Sequence, residues 1–259
     1  MENSDTGLII QARTCSTRLP NKIIKSFYKN KTIFEILINK LRKCNIPIIV
    51  ATTNNVKDDI ICKKCDELKV QYYRGSENNV LQRFIDTATH YNIQTIIRVC
   101  SDNPFIDETS INKLINNFNK LQEKPDYYSY TLDGSKPVIR EHIGTFTELV
   151  TLQTLNKVNG LTNKKLYQEH VTNYIYDHRN NFNIILEKPP QYLYKNQLQD
   201  KVRLTVDTKK DFELLSCLYL EVIEQYGNFF TLENIFEYLA KNQEKFVHNM
   251  KLLILNNPK

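Results

Sequence analysis

The chain has 259 residues, of which 41% are hydrophobic and 25% charged, values of an ordinary globular α/β protein rather than a fibrous or disordered one. A net charge of +6, spread evenly, favours small anionic partners such as nucleotides and argues against nucleic acid; no apolar run approaches the ~18 residues needed to cross a bilayer. The six cysteines follow a start, MENSDTG, without an apolar leader, so a reducing cytoplasm is the expected setting, and Cys62 and Cys65 form a CxxC without the second pair that a zinc finger needs.

Gly7 to Ile10 predicts a short buried strand. The loop after it carries Arg13, Arg18 and Lys22, with Gln11, Thr14, Ser16 and Thr17 polar and Pro20 stiffening the backbone. Such a loop reads as a polyphosphate cradle at a strand end or as basic surface. Ile33, Ile36, Leu37 and Leu41 share one face of a helix over residues 32–44, with Thr32 as N-cap. IPIIVATT predicts a second buried strand ending at Thr52 and Thr53, residues 57–68 a helix, and VQYYRG a third strand. Ser76 is the expected N-cap of a helix whose apolar side holds Val80, Leu81, Phe84, Ile85 and Ala88. TIIRVC predicts a fourth strand that breaks at Ser101-Asp102-Asn103-Pro104, and residues 108–121 another helix.

Four strand–helix alternations predict an α/β fold with a mostly parallel twisted sheet, helices on both faces and ligands at the carboxyl ends of its strands. The loops after strands one, two and four fall at that edge, and Arg74 and Gly75 at the end of strand three are expected to join them. Past residue 125 the alternation stops, and the pattern predicts a partly antiparallel second half. LVTLQTLNKV reads as a short helix, YQEHVTNYIYDH as a helix carrying His170, and NFNIILEKP as a strand. VRLTVDTKKDFELL reads as strand, turn and helix, followed by helices and a terminal strand or tail. With 6 glycines and no Gly/Ser linker, one domain is expected.

Asp102 and Asp207 each follow an apolar strand. Two carboxylates from separate strands, with phosphate oxygens and water, make a Mg²⁺ site; alternatively, each caps the turn or helix after it. Asp107, Asp200 and Asp211 read as structural. No Ser-His-Asp order, HExxH, Walker lysine or GxGxxG motif is present. Glu169 and His170 read as an acceptor contact or as helix surface. Arg98, inside strand four, needs a partner if buried: a phosphate, Asp102 or a structural carboxylate.

IIQARTCSTRLPNKII resembles the IIQARxGSTRLPxK signature of the spore-coat polysaccharide cytidylyltransferase family, and more distantly the CMP-3-deoxy-manno-octulosonate and CMP-acylneuraminate synthetases. VATTNNVKDD, YRGSENNVLQRF, IIRVCSDNPFID, YQEHVTNYI and VRLTVDTKKDFELL match in order, so the resemblance spans residues 7–216. It implies a GT-A-like nucleotidyltransferase fold, CTP as donor, Mg²⁺ as cofactor and pyrophosphate as product. Residues 1–125 would form the nucleotide-binding half, 126–216 the acceptor half and 217–259 a helical extension. Position by position, Gln11, Ala12 and Arg13 would line the nucleotide, and Arg18 and Lys22 would hold the triphosphate. Thr52, Ser76, Asn79 and Val80 would surround base and ribose, with Ser101 beside them. Asp102 and Asp207 would hold the metal; with Arg13 and Lys22 they form the implied catalytic set. Glu148, Glu169 and His170 would face the acceptor. A homodimer is implied, and the Tyr-rich stretch 126–131 reads as its interface or as a core strand.

The chain departs from the family pattern at Cys15 and Ser101, where glycine is usual, at Gln168, where arginine is usual, and at Phe146, where GxDxE reads GTFTE. Gln168 and Phe146 leave the acceptor half the less well matched of the two and predict an altered acceptor, so Phe146→Asp is expected to change acceptor choice and spare CTP affinity. The acceptor reads as a small anion: a sugar acid, or else a phosphorylated or phosphonate molecule, with Arg140, Lys136 and Lys165 as candidate cations. Two other classes stay open: a nucleotide-binding module without turnover, and a glycosyltransferase, though SDNP offers one acid where a DxD motif needs two.

Overall fold

In the computed structural model, which describes residues 5–257, strand and helix alternate through the first half. The order is β1 (Thr6–Gln11), a hairpin of β2 (Ser26–Tyr28) and β3 (Lys31–Thr32), α1 (Ile33–Leu41), β4 (Ile48–Thr53) and α2 (Asp59–Leu68). Next come β5 (Gln71–Gly75), α3 (Val80–His90), β6 (Thr95–Cys100) and α4 (Glu108–Lys120). The second half holds β7 (Tyr127–Tyr130), β8 (Glu148–Thr151), α5 (Leu152–Leu161), α6 (Lys165–Glu169), α7 (Asn173–Asp177) and β9 (Ile184–Glu187). Three helices follow: α8 (Lys209–Tyr226), α9 (Leu232–Lys241) and α10 (His248–Asn256). The leaderless start read at residues 1–4 lies outside the described residues.

Seven strands form one sheet in the order β5-β4-β1-β6-β8-β7-β9. β5, β4, β1 and β6 run parallel, β8 runs antiparallel to both β6 and β7, and β9 is parallel to β7. Alternate residues serve opposite faces, as the pleat requires. Leu8, Ile10, Val50, Ile97 and Val99 pack with α1, α4 and the C-terminal helices. Ile9, Ile49, Ala51 and Ile96 pack with α3 and α5. The apolar stripe of α1 is wholly buried, and Thr32 caps it in a reciprocal capping box with Glu35. Tyr127, Tyr128 and Tyr130 are buried in β7, so the Tyr-rich stretch is core strand and not an exposed interface.

Four expectations change. Asn79, not Ser76, caps α3; the Ser76 hydroxyl accepts from the Asn79 N–H instead. The helix expected around His170 is two five-residue helices, with His170 just past the first. The break falls at Val171 and Thr172, β-branched residues whose side chains are drawn into the core, Thr172 by a bond to Glu148. Residues 202–206 are extended but stand outside the sheet, because their neighbours are loops: Leu204 donates to the His142 carbonyl and Val206 to that of Asp102. Gly144 permits this approach, with φ of +64° and no space for a Cβ, which would fall 2.2 Å from Thr205 Oγ1. Finally, residues 250–255 lie in α10 rather than in a terminal strand or tail, with Met250 and Leu253 one turn apart on its buried side.

Candidate active site

The loop after β1 is anchored at both ends and in the middle. Leu19 and Ile23 are buried in the core, and the Ile23 carbonyl accepts from Phe34 of α1. Asn21 takes a left-handed conformation, φ 61°, and its N–H reaches back to the Thr14 carbonyl. Thr14 gives its backbone N–H and its hydroxyl to Asp58, a buried carboxylate just before α2. A rigid turn results, from which the side chains of Arg13, Arg18 and Lys22 emerge on the cavity side.

Lys22 points at two carboxylates. Its Nζ lies 2.7 Å from Asp102 Oδ2, 2.6 Å from the Val206 carbonyl and 3.6 Å from Asp207 Oδ1. The two acids therefore sit on one ammonium, well inside the ~10 Å that a metal with bridging waters spans. Burial opposes charge on Lys22, but Asp102 and Asp207 outweigh it and raise the pKa. Asp207 is also held by Arg18 Nη2 at 2.8 Å and by buried Arg203 Nη2 at 2.7 Å. These cations hold its pKa below the ordinary carboxylate value despite burial. Neither acid is a cap: Thr208 with Asp211 caps α8, and Asp107 caps α4. Arg203 links Asp207 to the cap of α8, since its Nε donates to Asp211 Oδ1 at 2.7 Å.

Two cavities meet at this cluster. The first, about 290 Å³, is lined by Gln11, Ala12, Arg13, Ser16, Thr17, Arg18, Lys22, Ile23, Val80, Arg83, Ser101 and Glu169, among others. The second, about 450 Å³, is lined by Asn103, Val138, Ile139, Arg140, Gly144, Phe146, Asn173, Tyr176 and Asn257, among others. Gln11, Arg18, Arg98, Asp102, His170 and Asp207 stand in both walls, so the cavities share one boundary.

Of the residues singled out in the sequence, Thr52, Ser76, Asn79 and Glu148 line neither cavity. Thr52 is fully buried in β4, and Ser76 and Asn79 are spent on the start of α3. Glu148 is fully buried in β8, where Arg98 Nη1 lies 2.5 Å from its Oε1. Arg98 thus pairs with Glu148, not with Asp102. Arg74 does not join the site either: it donates to the Thr53 and Asn55 carbonyls and pairs with Asp59 at 2.6 Å. Phe146 is buried against the Tyr130 ring, centroids 5.1 Å apart, so an aspartate there would bury an unpaired carboxylate and cost stability besides reshaping the cavity. Of the candidate cations, Arg140 lines the larger cavity and is paired with Asp177 at 3.2 Å, Lys136 is paired with Glu141, and Lys165 lines neither cavity.

Asp58, Arg83, Arg203 and Asn257 were not foreseen. Asp58 had one visible signal, an acid at the start of a helix just after a strand; Asn257 meets Arg18 across 239 residues, and Arg83 and Arg203 have near partners but a burial that no local pattern records. Arg83 is almost fully buried at the wall of the smaller cavity, with one Nη donating to the Ser76 carbonyl and Nε unpartnered. Its pKa is pushed down to about 10 by burial and by nearby Arg13.

Residues 8–252 match the family model described as cytidylyltransferase. The chain is 36% identical over 239 residues to an uncharacterized protein of Methanocaldococcus jannaschii, covering 91% of this chain and 90% of that protein. It is 30% identical over 230 residues to the spore coat polysaccharide biosynthesis protein SpsF of Bacillus subtilis, covering 86% and 89%. A solved cytidylyltransferase of Leptospira borgpetersenii superposes with a TM-score of 0.79 at 26% identity, over 94% of this chain and 97% of that one. CMP:2-keto-3-deoxy-manno-octonic acid synthetase, solved with CTP, shares the fold at a TM-score of 0.62 and 12% identity, over 84% and 99%. With a match over nearly its whole length and a cationic loop facing paired acids at the sheet's carboxyl edge, the chain belongs to the cytidylyltransferase family of nucleotidyltransferases.

Proposed function

We propose that the protein transfers CMP from CTP to a sugar acid or a related surface-glycan precursor and releases pyrophosphate. One observation carries the reading: two cavities share a boundary at Asp102 and Asp207, with Arg13, Arg18 and Lys22 on one side and Arg140 on the other. The smaller cavity suits the triphosphate, and the larger suits an anionic acceptor. The acceptor oxygen bonds to the α-phosphorus as the bond to pyrophosphate breaks, with no covalent enzyme intermediate. Catalysis is then positioning and charge stabilisation. Members of the spore-coat polysaccharide line, such as the Bacillus subtilis relative, make a surface-glycan precursor the natural acceptor class.

The donor set fits a hard divalent cation. Among the described residues no three His, Cys, Asp or Glu gather, but the Lys22 ammonium already lies in an all-oxygen cradle of Asp102, Val206 and Asp207. Asp102 and Asp207 would hold Mg²⁺, which would neutralise charge on the triphosphate. Lys22 would then turn its ammonium to the phosphates, beside Arg18.

The test is pyrophosphate release with Mg²⁺ and each of CTP, UTP, GTP and ATP, against a panel of 2-keto sugar acids, sugar phosphates and phosphonates. Release with CTP and an acid is expected. Release only with phosphorylated or phosphonate acceptors would move the product to the CDP or phosphonate class. CTP binding without release on any acceptor would make the protein a binding module.

A further inference from the structure

Gln11 closes β1 and stands in the wall common to both cavities. Its Oε1 accepts from Arg98 Nε at 3.3 Å and from Nη2 at 3.0 Å. A guanidinium only donates, so chemistry fixes the amide: oxygen toward Arg98, Nε2 away from it. Arg98 is itself immobilised. It is buried, its Nη1 meets Glu148 Oε1 at 2.5 Å, and Glu148 also accepts the hydroxyls of Thr172, at 2.9 Å, and Tyr127. No acceptor among the described residues takes the two hydrogens of Gln11 Nε2.

The surroundings of that NH₂ group are rich in positive charge and donors. His170 shares the wall, and burial together with Arg98, Arg140 and Arg13 lowers its pKa. Asn173 and Arg140 line the acceptor side. The nearby acids are already committed, Asp102 to Lys22 and Asp207 to Arg18 and Arg203. A ligand group placed here must bring acceptor atoms and negative charge. A planar, singly charged carboxylate matches a planar amide NH₂ beside one half-exposed arginine; a phosphate dianion calls for more cations.

We propose that Gln11 Nε2 binds the carboxylate of the acceptor acid, and that Arg98, locked by Glu148, is the positioning residue that presents it. The inference rests on the reading of the protein as a cytidylyltransferase acting on an acid. It gives Glu148 a different part from the direct acceptor contact expected of it: Glu148 acts through Arg98 and Gln11.

The test uses full-length protein, CTP with Mg²⁺, and 2-keto sugar acids, including 2-keto-3-deoxy-manno-octonic acid, each paired with its neutral amide. Gln11→Leu should raise KM for the acid about tenfold to a hundredfold, the range for a hydrogen bond to a charged group, and by more than it raises KM for CTP, since Gln11 also stands in the wall of the smaller cavity. Gln11→Glu keeps an oxygen for Arg98 but loses the donors, so it should penalise the acid more than its amide. Arg98→Lys, which cannot hold Oε1 and Glu148 with one fork, should raise the acid KM by more than that for CTP. A Gln11→Leu enzyme with unchanged acid KM, or with only the CTP KM raised, overturns the inference. So does a wild type that uses uncharged acceptors alone, which leaves cytidylyl transfer standing. Absence of pyrophosphate release from wild type on every acceptor overturns the functional reading, and this inference with it.

Discussion

Thr14 delivers both its backbone N–H and its side-chain hydroxyl to a single oxygen of Asp58, each at 2.7 Å. The other Asp58 oxygen takes the Thr53 hydroxyl. One buried carboxylate therefore ties the cationic loop to the end of β4. Asp58→Ala would strand three donors in the interior, at about 1–3 kcal/mol for each one left unsatisfied. We expect a loss of about 2–4 kcal/mol in urea unfolding and at least about tenfold weaker CTP binding by calorimetry. A variant with the wild-type midpoint and affinity would show that Leu19 and Ile23 hold the loop unaided.

Asp207→Asn should keep the fold, since Asp211 and Thr208 still cap α8 and Arg203 keeps Asp211. Turnover in Mg²⁺ should fall about a hundredfold or more, the scale for deleting one charge-stabilising group. Far-ultraviolet circular dichroism and steady-state rates check both halves of the expectation. Near-normal turnover would overturn the proposed metal role of Asp207.

Arg98 and Glu148 form a buried pair in which each charge depends on the other. Glu148→Ala leaves the guanidinium without its carboxylate and should cost about 3–5 kcal/mol. Arg98→Met with Glu148→Leu removes both charges and should cost less than the two single changes added together. Chemical denaturation of the full cycle gives the answer, and strict additivity would mean that the pair is not coupled.

His170 gives the stability curve a feature just below neutrality. Burial, with Arg98, Arg140 and Arg13 adding to it and Glu169 opposing, holds its pKa below the ordinary 6.5. Between 6.5 and that lower value the unfolded chain binds a proton that the folded chain refuses, so stability falls as the pH drops through this window. His170→Gln should lose less stability than wild type between pH 7 and pH 5, measured by urea unfolding. Parallel curves would place His170 fully in solvent.

The parallel half of the sheet was legible because β1, β4 and β6 are short apolar runs and α1, α3 and α4 are apolar stripes with side-chain caps. Thr32 and Asp107 are local signals, readable within four residues of the helices they start. The boundary at His170 was not readable, since it depends on Thr172 finding Glu148 on a distant strand. Nor was the status of residues 202–206: alternating apolar residues look alike whether the neighbour is a strand or a loop. The paired acids at the site could be named from the residues that precede them. Their helpers were harder to read: Arg203 reaches Asp207 only 4 residues on, but from an extended segment with no helical spacing to mark it, and Asp58 reaches Thr14 across 44 residues.

The last described helix ends beside the larger cavity, where Asn257 lines the wall and its Oδ1 lies 3.5 Å from Arg18 Nη1. β1, by contrast, enters the sheet from the edge opposite that opening. Bulk attached at Asn257 would crowd the mouth of the larger cavity. Bulk attached at Asp5, just ahead of β1, would lie at the opposite end of the strands and leave that cavity open.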